Sequence, residues 1–180
     1  MSRELVVEPG KVSSWDDFIV EAEPYSIALD GRVPGRNNYL LEGEKSPIIS
    51  IDHHSEVDRL GTRATCDQVL QMMRMGLRKR YTKNGLYVVN ACVNDPDQDV
   101  CTSWYILNHP EVAEKANANP ALNRLVAMES LMDATGGMYP FDRDMAFLGV
   151  MKAIYKPVHR LSKIRRHSRA KPRSIYWCYS

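Results

Sequence analysis

Apolar residues in this chain fall into two arrangements. The first is short unbroken runs, residues 25–30 (Tyr-Ser-Ile-Ala-Leu-Asp), 47–51 (Pro-Ile-Ile-Ser-Ile) and Leu86–Val93, each bounded by Gly, Pro, Asn or Asp. Runs of that length without alternation read as strands buried on both faces. Residues 3–8 read as a further short strand. In the second arrangement, apolar positions recur every three or four residues. Cys66, Val69, Leu70, Met73 and Leu77 predict a helix over 62–80, with Arg78, Lys79 and Arg80 in the last turn, where exposed carbonyls favour positive charge. Leu122, Leu125, Val126, Met128, Leu131 and Met132 predict another over Pro120–Ala134, stopped by Gly136-Gly137. Residues 100–107, 110–116 and 141–155 also read as helical, and 31–38 as a loop from its Gly, Pro and Asn content.

Strand and helix alternate, which predicts an α/β architecture: a mostly parallel sheet with flanking helices, in one domain. The expected domain spans 1–155, followed by a basic, partly disordered C-terminal tail over 156–180. At 180 residues, with 44% hydrophobic and 26% charged positions, the composition is that of an ordinary soluble globular chain able to bury a core. No stretch has the apolar length of a membrane span, and acids stand where a signal peptide needs an apolar core. Four widely spaced cysteines (Cys66, Cys92, Cys101, Cys178) suit a reducing compartment, so a cytoplasmic location with no membrane partner is expected.

The net charge of +2 conceals an asymmetry. Residues 156–180 carry eight Lys or Arg and no acid, while the preceding 155 residues have a net charge of −6. Such a tail either screens phosphates through weak nucleic-acid contact or is simply a solvated end, and no nucleic-acid motif accompanies it.

The candidate chemistry lies at the strand ends. The run 47–51 leads into Asp52-His53-His54, and Leu86–Val93 leads into Asn94-Asp95-Pro96-Asp97-Gln98-Asp99. In open α/β sheets ligands bind at the carboxyl ends of strands. Mixed carboxylate and imidazole donors suit manganese, zinc or iron, and two carboxylate-bridged ions can activate water and stabilise a phosphoryl leaving oxygen. If the chain stays extended, Asp97 and Asp99 point the same way while His53 and His54 point to opposite faces. The competing assignment is structural: Asp97 or Asp99 as a helix N-cap, Asp30-Gly31 as a turn, Asp133 on a solvated helix face. Gly-rich phosphate loops, the Gly-x-Ser-x-Gly elbow and the zinc deaminase signature are all absent from the sequence. A Cys–His nucleophile is the weaker alternative for Cys66 and Cys101, which fall within helices.

Asp52-His53-His54 after a strand resembles the signature of the DHH phosphoesterase superfamily, and residues 94–103 are similar to that family's strand-terminal Asp-x-Asp motif. The two occur here in reversed order, as in a permuted or divergent member. The resemblance implies a metal-dependent phosphoesterase, manganese first among its cofactors, acting on a phosphorylated small molecule or nucleotide. It implies Asp97, Asp99 and His53 as metal ligands, Asp30 as bridging aspartate, Asp133 as the later metal-binding aspartate and His54 on the phosphate. Asp52 joins the metal candidates by position, and Arg32 and Arg36, in the loop before the cluster, are candidate phosphate contacts. Two other functions fit the same residues: a non-catalytic metal- or ligand-binding module of this fold, and a nucleic-acid-associated protein acting through its tail.

Overall fold

A computed structural model describes residues 2–115 and 120–142. The expected helix over 141–155 therefore falls almost wholly outside the described residues, as does the basic tail. Four strands run parallel: β1 (Ser2–Val7), β2 (Ser26–Leu29), β4 (Ile48–Ile51) and β6 (Leu86–Val93). β3 (Asn38–Leu40) pairs antiparallel with β4 at one edge, and β5 (Thr82–Lys83) forms a hairpin with β6. The hairpin turn is Asn84-Gly85, both residues with positive φ (50° and 77°), the backbone of a tight two-residue turn. The spatial order is β1-β6-β2-β4-β3. The predicted mostly parallel α/β sheet is thus the observed one.

This order matters for the site. β2 lies centrally, flanked by β6 and β4, so chain segments distant in sequence finish side by side. Every residue of β2 and β4 is buried, as their unbroken apolar runs required. One sheet face packs Leu5, Ile27, Ile49, Val89 and Ala91 against α2 (Thr65–Arg74), α4 (Gln98–Asn108), α5 (Pro110–Glu114) and α6 (Pro120–Ala134). The other face carries α1 (Trp15–Glu21), whose Phe18 packs with Ala28, Val33, Ile48 and Cys92. Among the described residues no helix is long and apolar enough to cross a membrane.

Two local expectations change. The single helix over 62–80 is two, α2 and α3 (Leu77–Arg80), because Gly76 adopts φ 95°, a left-handed conformation that ends a helix and redirects the chain. The loop over 31–38 also ends early, since Asn38 already belongs to β3.

Candidate metal centre

The ends of β2, β4 and β6 supply the centre, completed by the last turn of α6. Asp30 follows β2 at φ 48°, a conformation costly for a non-glycine residue, with Gly31 at φ 71° behind it. Asp52, His53 and His54 follow β4. Asp99 lies in the first turn of α4 after β6, and Asp133 in the last turn of α6.

These residues converge on His53. Its Nε2 lies 2.8 Å from Asp133 Oδ2, 3.4 Å from Asp30 Oδ1 and 3.5 Å from Asp99 Oδ2. The imidazole is fully buried, yet neither ring nitrogen has a partner at hydrogen-bonding geometry. Three carboxylate oxygens thus surround a buried nitrogen without being aimed along its N–H direction. His54 Nδ1 lies 3.1 Å from both Asp30 Oδ1 and Asp52 Oδ1. The donors divide into His53–Asp99–Asp133 and Asp30–His53–His54, each set with ligand atoms within 4.8 Å of one another.

Backbone dipoles hold the acids in place. α2 begins at Thr65 without a side-chain cap of its own. Asp99 caps it from α4 instead, accepting from the Thr65 and Cys66 amides at 2.7 Å each. A carboxylate on the first amides of a helix is favoured by hydrogen bonding and by the helix dipole together. Thr65 Oγ1 donates to Asp30 Oδ1 at 3.2 Å. Asp30 and Asp99 are therefore oriented by the same helix start.

The electrostatics follow from this packing. Burial alone would lower the pKa of His53, but the carboxylates of Asp133, Asp30 and Asp99 outweigh it and hold it at about 11. Asp30, then Asp52, raise His54 to about 10. Burial opposes ionisation of Asp30, yet its two imidazole neighbours keep it well below the carboxylate range. Asp97 has no such cation, and burial together with the Asp30 charge pushes it up to about 8. Burial likewise raises Asp99.

The remaining candidates have other places. Asp97 caps its own helix, its side chain accepting from the Val100 amide at 2.9 Å. Asp97 and Asp99 do not point the same way, because the helix starts between them. His53 and His54 do not face opposite sides either; the strand has ended, and their rings lie 4.4 Å apart. Asp52 places both oxygens on backbone amides, Oδ1 on Gly31 at 3.0 Å and Oδ2 on Gly35 at 2.9 Å. It shapes the loop after β2 and fixes His54, and stands outside both donor sets. Arg32 is directed elsewhere: almost fully buried, it pairs with Glu21 at 2.7 Å and Glu8 at 3.1 Å and lies over the Phe18 ring. Arg36 is exposed and without an ion pair among the described residues.

Two further residues belong to this neighbourhood. Arg59 pairs with Asp133. Glu129, one turn before Asp133 on α6, is buried at 3% exposure with Oε2 unpartnered, and burial, then the Asp99 charge, raise it to about 8. No sequence pattern distinguished either. Burial also raises the thiols of Cys66 and Cys101, which removes them as nucleophiles at neutral pH. No family model, no curated protein and no solved structure matches this chain.

Proposed function

We infer that the protein is a metal-dependent phosphoesterase-like hydrolase, with a divalent ion, manganese first, held by His53, Asp30, Asp99 and Asp133. The observation that carries this reading is His53 Nε2, buried, without a hydrogen-bond partner and ringed by three carboxylate oxygens from three separate segments. One imidazole nitrogen has one lone pair and serves one ion, and each of the two donor sets that share His53 combines nitrogen with carboxylate. That mixture suits manganese, zinc or iron, whereas an all-oxygen site would suit magnesium or calcium.

A bound divalent ion would supply Lewis-acid polarisation of a phosphoryl group and would lower the pKa of water beside it. The chain's own residues supply orientation and a proton. The α2 amides fix Asp99, and Thr65 fixes Asp30. His54, one third exposed, is the imidazole that reaches solvent, and Asp52 holds its ring. It can hold a phosphoryl oxygen or protonate a leaving alkoxide.

The reading predicts manganese-dependent hydrolysis of bis(p-nitrophenyl) phosphate by the purified protein. Asp30→Asn and His53→Gln should each reduce kcat at least about a hundredfold, while circular dichroism shows the fold retained. Metal binding without turnover would instead favour a non-catalytic module. Wild-type turnover in both variants would reject the site.

A further inference from the structure

A cluster of carboxylates meant to receive a phosphate group needs cations at its rim, since like charges repel the substrate before any metal contact forms. Arg32 is committed to Glu8 and Glu21. Among the described residues, Arg59 is the one Arg or Lys in ion-pair contact with a carboxylate of the cluster. Its Nη2 lies 3.3 Å from Asp133 Oδ2, the oxygen that also touches His53, and 3.3 Å from the Asp133 backbone carbonyl. A single oxygen therefore separates the guanidinium from the central imidazole. All of these contacts use Nη2, and the side chain is 42% exposed. Nη1 has no partner among the described residues.

The anchoring is suited to a binding group. The Asp133 carbonyl lies in the last turn of α6, where the helix dipole favours a cation whether or not the carboxylate is neutralised. The turn bearing Arg59 is built by Asp58, whose Oδ1 accepts from the Leu60 amide and whose carbonyl accepts from Gly61 and Thr62. Gly61 leaves room for the Asp58 carboxylate, which a Cβ would approach to 3.0 Å.

We propose that Arg59 is the phosphate-recognition residue of this centre, anchored through Nη2 on Asp133 and presenting Nη1 to a non-bridging phosphoryl oxygen. This rests on the phosphoesterase reading for its catalytic consequence but not for the binding event. A guanidinium stays charged at any working pH, and Nη1 carries two N–H donors for phosphoryl oxygen.

Binding of inorganic phosphate by calorimetry, with excess Mn2+ present throughout, tests it on the full chain, alongside Mn2+ stoichiometry and steady-state kinetics. Arg59→Ala should weaken phosphate at least about tenfold and raise KM for the diester by a similar factor, with Mn2+ stoichiometry and kcat changed less than about threefold. Arg59→Lys should recover part of the loss. Arg59-dependent phosphate binding without turnover would uphold this assignment while defeating the hydrolase reading. Phosphate affinity unchanged in Arg59→Ala, no phosphate binding by the wild type, or loss of Mn2+ in parallel with phosphate would each overturn it. The last outcome would make Arg59 a support for Asp133.

Discussion

At the scale of single residues, the centre brings together more negative charge than its surroundings neutralise. Two imidazolium rings face Asp30, Asp52, Asp99 and Asp133, while Glu129 and Asp97 lie close by without a cation of their own. Glu129 shows the consequence most simply. Its folded pKa stands near 8 against an ordinary 4.5, so between those values the unfolded chain releases a proton that the folded chain keeps. Stability contributed by this group is full below about 4.5 and is lost as pH rises toward 8. Glu129→Gln should therefore stabilise the EDTA-treated protein at pH 7 by on the order of 1–3 kcal/mol and change it little at pH 4. Urea unfolding at the two pH values measures this. Equal effects at both would mean that the carboxyl is not raised.

At the scale of elements, the centre depends on how helices begin. α4 has an N-cap from its own sequence, Asp97, and α2 has one borrowed from α4, Asp99. Asp97→Ala should cost about 1 kcal/mol at pH 4 through the lost cap, less at pH 7 where loss of the raised carboxyl offsets it, and leave Mn2+ affinity nearly intact, which thermal melts and metal titration together resolve. A large loss of metal in that variant would return Asp97 to the ligand set. The same contrast explains which elements were legible in the sequence. β2 and β4 announced themselves because burial on both faces leaves apolar runs, and β6 did so by the length of its run, whose last three residues are buried. β3 did not, being three residues at the sheet edge with Tyr39 half exposed. α1 did not either, since Phe18 is the one residue of its seven that is buried. The break at Gly76 was hidden because apolar spacing continues through Leu77 on the far side of the turn.

At the scale of the whole molecule, sheet order turns two distant motifs into one site. β6 and β4 flank β2, so Asp99 and His53 meet over Asp30, although nearly seventy positions separate Asp30 from Asp99. Strand-terminal acids and histidines could be read from sequence because their position after an apolar run gives them a common edge. Arg32 could not. Its Gly- and Pro-rich loop suggested exposure, whereas Glu8 and Glu21, from segments with no visible link to it, draw it inward over the Phe18 ring. Arg59 and Glu129 carry no periodic or motif signal, and only the packing of the 55–63 loop and α6 reveals them.

The account turns on whether the ring of oxygens around His53 holds a metal ion. Equilibrium titration of EDTA-stripped protein with Mn2+, free Mn2+ being followed by electron paramagnetic resonance, measures this directly in the wild type and in His53→Ala. The geometry predicts saturable binding at a defined stoichiometry in the wild type and at least about a hundredfold weaker binding in the variant. Identical isotherms for the two folded proteins, or no saturable binding in the wild type, would contradict it.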